Sequence, residues 1–301
     1  MPTFPPAGAV DTLPTDLTPI WEEQCDDLHA VAAMGGFQAF INAKVMEDPS
    51  LAHAFMSHGR RVCCIDERIT DGDGIRIPGS GILMQENDLL DSLHYAGVSS
   101  VTSHTRCGAV RASLLSQLQL TNPNTTAAMI TEDQVEEAAK HFAKDLACKL
   151  NVPYEGHLAF DGEGMTGPSD VHIARMTFYD GTNSLNTTLL QHILPPAFVV
   201  SRNFHPLREA QRAVEVSFNI ALHSGFGARI TEDEPFFVVA VARSEAQREK
   251  LCDELAPLLR KHGALMRCDS IVSPTLAFSP DLEDLPEMDD IDSSQIDEPQ
   301  E

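Results

Sequence analysis

The chain has 301 residues, 43% of them hydrophobic, with 45 acidic against 21 basic side chains and a formal net charge of −24. That is enough apolar material for one large domain or two modest ones, and no run of about 18 apolar residues offers a membrane span. No basic patch is present to neutralise phosphates, so neither a membrane nor a nucleic acid is an expected partner.

Residues 1–19 are proline-rich and lack the basic start and apolar stretch of a secretory signal, which predicts an extended arm and a cytoplasmic location. From 20 to 45 the apolar residues recur with helical period, interrupted at Gly35–Gly36. PSLAHAFMSHG predicts a short helix stopped at Gly59. RVCCID, starting at Arg61, predicts a buried strand, and GDGIRIPGSG a loop with a brief strand over 75–77. ILMQENDLLDSLHYAG predicts an amphipathic helix, VSSVTS a second strand and GAVRASLLSQLQL the helix after it. TEDQVEEAAKHFAKDLACKL predicts a helix opened by a capping signal at Thr131. VHIARMTFYDGTNSL reads as a strand with a turn at Asp180–Gly181.

After Pro195–Pro196 the order is strand AFVVSR, helix PLREAQRAVEVSFNIALHSG, strand FFVVAVAR, helix SEAQREKLCDELAPLLRKHG and strand ALMRCDSIV. Strands alternating with helices predict an α/β fold with a mostly parallel sheet flanked by helices. The expected organisation is a first unit over 20–190, a smaller α/β unit over 195–275 and an acidic tail over 276–301. SLHYAGVSSVTSHTRCGAVR can be laid beside ALHSGFGARITEDEPFFVVAVARSEAQR, a faint internal echo that a chance match of helix–strand–helix units would also produce. From Asp281 the tail carries ten acids and no base, −10 of the −24. Such a block repels itself and is expected to be a disordered, solubilising segment, with a basic partner protein as the sharper alternative.

Seven cysteines without a secretory signal argue against a disulfide framework. Cys25, Cys148, Cys252 and Cys268 fall in helix or strand patterns as small apolar residues. Cys63, Cys64 and Cys107 are different, with Cys63 read as a core residue and, alternatively, as a ligand in place of Cys64. Along an extended strand, Cys64, Asp66 and Arg68 share one face and Cys63 turns to the other. That face reaches the carboxyl end of the strand, where open α/β sheets place their sites. The next strand ends at Ser103, followed by His104 and by Cys107 just before a helix, whose positive end favours a thiolate. Two thiolates and an imidazole would converge, a set that zinc takes with an open fourth position for water when the site is catalytic.

These residues carry a family resemblance. CIDER, from Cys64 to Arg68, resembles the Cys-x-Asp-Ser-Arg motif of β-class carbonic anhydrases, and HTRCGA, from His104 to Ala109, resembles their His-x-x-Cys-Gly-Ala motif. GIRIPGSGI is similar to the family's Arg-Asn-Ala-Gly-Asn segment, and VHIARMTFYDGTNSL to its closing strand; the resemblance covers roughly 20–190. It implies a β-carbonic-anhydrase-like core that hydrates carbon dioxide reversibly to bicarbonate through a zinc-bound hydroxide. Cys64, His104 and Cys107 would be the zinc ligands. Asp66 and Arg68 would form the catalytic dyad, in which Asp66 accepts a hydrogen bond from the zinc-bound water or, in the closed state of some members, binds zinc itself. Gly79, Ser80, Gly81 and Gly108 would line the substrate pocket. The family builds its site across a dimer interface, so a homodimer or larger even oligomer is expected; a decayed second copy within one chain is the alternative.

The chain departs from the family at Glu67, in place of a small residue, and at Ile77 and Ser80, in place of asparagines. Cys64 and His104 are also closer in sequence than the family's spacing. Glu67 is read as a solvated or pair-forming acid, His58 and His94 as surface histidines or proton shuttles, and Arg106 as an exposed residue or a guide for bicarbonate. Carbonyl sulfide or carbon disulfide hydrolysis on the same zinc, and a catalytically idle zinc-binding scaffold of an inorganic-carbon system, are the alternative functions. A thiol redox protein is a weaker one, since adjacent Cys63 and Cys64 are poorly placed for a disulfide.

Overall fold

The computed structural model describes residues 15–56, 59–70, 74–84, 86–160, 164–183 and 185–274. His58, most of the proline-rich arm and the acidic tail lie outside the described residues. Among the described residues the chain forms two four-stranded sheets, every strand pair parallel, flanked by helices. The α/β class expected from the alternating pattern is the one observed.

The helices follow from local sequence. The long helical pattern near the N-terminus is split into α1 (Thr18–Ala33) and α2 (Phe37–Glu47) because Gly35 and Gly36 take φ of 96° and 103°, a region closed to most residues. The next stretch is a 3-10 turn, Pro49–Phe55, that ends before Gly59, so Gly59 does not stop it. α5 (Glu132–Leu150) opens with a capping box, in which Thr131 and Gln134 exchange side-chain and backbone hydrogen bonds. It ends where Asn151 turns left-handed. Its buried face, Val135, Ala139, Ala143, Leu146 and Leu150, keeps the 3–4 residue spacing of one helix side.

The first sheet has the order β2-β1-β3-β4 and the second β6-β5-β7-β8. The first comprises β1 (Arg61–Cys63), β2 (Gly74–Arg76), β3 (Ser100–His104) and β4 (Tyr154–Leu158). The second comprises β5 (Met176–Asp180), β6 (Phe198–Ser201), β7 (Phe236–Ala242) and β8 (Met266–Val272). Each sheet therefore winds the same way: its first strand in the chain lies between the second and the third, and the fourth lies outside the third. α3 (Glu86–Tyr95) precedes β3 and α4 (Gly108–Thr121) follows it. α6 (Leu207–Ser224) precedes β7 and α7 (Glu245–His262) follows it. The faint echo in the sequence falls on these equivalent pieces. The likeness extends to a turn. Asp66, beyond β1, accepts the backbone N–H of Arg68 at 3.0 Å, and Asp180, at the end of β5, accepts that of Thr182 at 2.8 Å.

β5 belongs to the second sheet, paired with β6 and β7. α1 and α2 likewise cover the second sheet: Leu28, Val31, Phe37 and Ile41 pack with Phe178, Val239 and Ile271. Stretches grouped by sequence with the first unit thus build the second. The two sheets meet along β2 and β6, where Ser201 Oγ accepts the Arg76 N–H at 2.9 Å and the Ile65 carbonyl accepts the Val199 N–H at 3.3 Å. One apolar core runs through the seam, joining Cys63, Ile65 and Val110 to Phe198, Val200 and Phe218.

β1 is shorter than the sequence pattern predicts. It ends at Cys63, and the chain turns at Asp66, whose carboxylate competes for the Arg68 N–H that a strand neighbour would take. Cys64, Asp66 and Arg68 therefore approach one another through a turn and not through strand alternation. β4 carries little apolar alternation, and its pairing with β3 is a tertiary event.

Phe178 stands two residues before Asp180, as Cys64 stands before Asp66, and it is fully buried. Phe178→Ala is expected to cost about 3–5 kcal/mol, read as a lowered urea midpoint with unchanged slope.

Candidate metal centre

The parallel pairing of β1 with β3 sets Val62 beside Val101, so the chain leaves both strands at the same sheet edge. Cys64 follows one strand end and His104 closes the other. The turn between β3 and α4 has Arg106 at φ 56°, and this left-handed step returns Cys107 toward the sheet as the N-cap residue of α4. The candidate ligand atoms of Cys64, His104 and Cys107 lie within 4.8 Å of one another, and all three residues are buried. The two sulfurs are 3.9 Å apart. Cys63 faces away: its thiol lies against Gly74, where a Cβ would approach it to 2.4 Å.

The cluster has the polar signature of a metal site. Among the described residues, both ring nitrogens of His104 are buried without a hydrogen-bond partner, a cost that ordinary core histidines avoid. The Gly79 N–H donates to Cys64 Sγ at 3.1 Å, which stabilises negative charge on sulfur. The hydrogen bond between the thiols holds Cys107 below the usual thiol range, helped by the amides of Val110 and Ala109 in the first turn of α4, and pushes Cys64 well above it. Cys107 therefore gives up its proton first, as its place at a helix start favours. Burial disfavours the His104 imidazolium, but its interactions with Cys64 and with the Asp66 carboxylate outweigh it and the net direction is upward.

Asp66 stands beside the cluster, its Oδ2 3.8 Å from His104 Nδ1. Arg68 clamps it from one side, Nε to Oδ1 at 2.9 Å and Nη2 to Oδ2 at 2.7 Å. Burial favours the neutral acid, yet the Arg68 charge and hydrogen bonds reverse this and hold the carboxyl well below the ordinary range. The Asp66–Arg68 dyad read from the sequence is thus formed, with Asp66 turned to the arginine.

The glycine segment takes left-handed backbone at Gly79, Ser80 and Gly81, with φ of 57°, 56° and 105°. Its amides are already engaged: Gly79 donates to Cys64, and Ser80 to the Ile77 carbonyl at 2.9 Å. Gly81 packs on Leu89, while a Cβ on Gly108 would meet nothing within 4 Å. Gly79 and Ser80 line a cavity of about 10 Å³ with Ser103, His104, Cys107, Val110 and Ala139, room for about one water. His94 is exposed on α3, and the Arg106 guanidinium donates to the Ser169 carbonyl at 2.8 Å.

Three side chains take parts that no motif announces. Arg76 is buried and donates to the Cys64 carbonyl at 3.1 Å and the Ile69 carbonyl at 3.4 Å, which pins the turn after β1. Glu67 is not solvated but paired with His172, the pair-forming option of its sequence reading. Phe160 lies under the Arg68 guanidinium, 5.1 Å from ring centre to cation. Only the acid–base composition of Glu67 and Arg76 hinted at such roles; His172 has no sequence spacing that marks it.

A second group of candidate metal-binding atoms, from Asp66, Glu67 and His172, lies within 4.8 Å. The adjacent buried Arg68 charge already satisfies Asp66, so a cation is disfavoured there. No helix is long and apolar enough to cross a membrane among the described residues, and the seven cysteines are free thiols. Compared with known proteins, the chain matches no family model, no curated protein and no solved structure.

Gly79→Ala would drive a Cβ to 2.8 Å from Ile82 and 2.9 Å from Ala109 at a positive φ. It is expected to weaken divalent-metal affinity by roughly tenfold or more, measured by chelator competition. Arg68→Ala leaves a buried carboxylate unpaired and is expected to cost about 3–5 kcal/mol at neutral pH. Because the Asp66 carboxyl is held low in the folded state, the pair's contribution is full above the unfolded value of about 3.9 and is lost as pH falls below it. Denaturant melts from pH 7 down to 3 should therefore show the gap between wild type and variant narrowing toward acid.

Proposed function

We propose that this chain is a zinc-dependent lyase that hydrates carbon dioxide reversibly to bicarbonate, in the manner of the β-class carbonic anhydrases it resembles. The observation that carries this reading is the convergence of Cys64, His104 and Cys107 beside an Asp66 clamped by Arg68. Zinc fits the donor set. Two sulfurs at about 2.3 Å from a tetrahedral zinc stand about 3.8 Å apart, and Cys64 and Cys107 are separated by 3.9 Å. His104 keeps a ring nitrogen available as the third donor. Bound there, zinc would supply an activated water nucleophile near neutral pH.

The chain's own residues supply the rest. Asp66, fixed by two hydrogen bonds from one guanidinium, presents a directed acceptor that orients the nucleophile. Burial of the three ligands excludes bulk water, which strengthens each of these electrostatic contacts. The cavity beside His104 and Cys107, with room for about one water, has no space for an ester or amide. Assembly into a homodimer or larger even oligomer, implied by the resemblance, belongs to the same proposal.

Stopped-flow carbon dioxide hydration, with zinc determined in the same sample and Cys107→Ser beside it, tests this reading. About one zinc per chain and activity that vanishes in the variant are expected. Full zinc without hydration, but with sulfide release from carbonyl sulfide or carbon disulfide, would move the reading to those substrates. Full zinc with neither activity would leave a binding protein, and no zinc would end the assignment.

A further inference from the structure

We infer that Glu67 and His172 are positioning residues that hold Arg68 on Asp66 and so keep the Asp66 carboxylate off the metal centre. The inference rests on the metal reading of the cluster and not on its substrate.

Glu67 belongs to the turn after β1, and its side chain is 0% exposed. A carboxylate is buried only at a cost unless its oxygens are occupied. Here they are: His172 Nδ1 lies 3.0 Å and 2.9 Å from the two oxygens, and the Ile173 N–H donates to Oε1 at 2.9 Å. His172 is anchored to the second sheet's elements. Its backbone N–H donates to the Ser224 carbonyl at the end of α6, 2.9 Å away. Its ring packs against Phe198 of β6, with centroids 5.8 Å apart.

In the neutral tautomer that carries its proton on Nδ1 and donates it to Glu67, the other ring nitrogen is left as an acceptor. It faces Arg68: Nε2 is 3.4 Å from Nη2, the same nitrogen that holds Asp66 Oδ2. The guanidinium is thus steered from several sides, by Asp66, by His172, by the Pro168 carbonyl 3.5 Å from Nη1 and by the Phe160 ring. His172 also keeps Glu67 occupied. A Glu67 released from His172 becomes a second carboxylate competing for one arginine, and pairing with it would loosen Arg68 from Asp66. Asp66 stands next to the cluster, its Oδ2 3.8 Å from a ring nitrogen of His104. A freed carboxylate beside the cluster could itself serve as a ligand to a metal held there, in place of an exchangeable one.

The test reads coordination and not turnover. The protein is substituted with cobalt(II), and thiocyanate, an anion that takes an open position, is titrated while the visible bands are followed. Wild type is expected to respond. His172→Phe, which keeps a ring but no acceptor, is expected to weaken the response at least tenfold, and adding Asp66→Asn to it to restore the response. His172→Gln, which keeps an acceptor near Arg68, is expected to behave as wild type. Should His172→Phe fail to fold, His172→Leu takes its place, because it also removes the acceptor that faces Arg68 and leaves Glu67 free to compete for it. A wild-type response in whichever of these two variants folds overturns the inference, and so does a loss that Asp66→Asn does not restore. A wild type that takes up no cobalt overturns the metal reading and this inference together. The expected spectral pattern without carbon dioxide hydration supports this inference and fails only the proposed activity.

Discussion

Parallel pairing of β1 with β3 makes neighbours of side chains 43 positions apart in the chain. Two parallel strands end at the same edge of a sheet, so whatever follows each strand must share that edge. Cys64 leaves one end and His104 and Cys107 leave the other. The loop and helix geometry then serves this edge: a left-handed step at Arg106 turns Cys107 back, and Gly79 brings an amide to the Cys64 sulfur at a place where a Cβ would collide with Ala109. A different register would leave three unrelated buried residues.

Around that edge the protein buries an unusual amount of charge, and the network decides what each group can do. Asp66, Glu67, Arg68 and Arg76 all fall between the end of β1 and the end of β2, and each has polar atoms occupied by a neighbour. Burial alone would neutralise Asp66, yet one bidentate arginine keeps it ionised. Removing any single member leaves its partner buried and unpaired, so the network is specific as well as costly. His104 is the contrast: its ring nitrogens have no partner among the described residues, the one gap in an otherwise satisfied site.

The second sheet repeats the winding of the first and its aspartate turn but, among the described residues, not its cluster of candidate metal ligands. Where the first has Cys64, the second has the buried Phe178, and Gly181 and Thr182 carbonyls there are taken up by Asn203, Gln247 and Arg243. Its contribution to the site is made across the seam instead, through Ser201 on the backbone of Arg76 and through His172 on Glu67 and Arg68. One sheet holds the candidate ligands and the other buttresses the turn beside them.

Much of this was legible in one dimension. Alternating apolar strands and amphipathic helices identify an α/β chain because period 2 and period 3.6 are local properties, and the cap at Thr131 and the break at Gly35–Gly36 are equally local. Cys64, Asp66, Arg68, His104 and Cys107 stand out because thiols and charges are poor residues for a plain core and because strand ends place them together. The end of β1 at Cys63 was less legible, since an aspartate turn competes with strand pairing only once the chain is packed. The assignment of β5, α1 and α2 to the second sheet was hidden too, because nothing in a strand's own residues states which neighbour it will pair with. Glu67 meets His172 across 105 positions for the same reason. The amino-acid sequence by itself determined the kinds of element and the chemistry of the candidate ligands, which depend on side-chain type and short-range spacing. Tertiary structure alone decided which sheet each strand joins and which buried charge faces which, because those follow from long-range packing.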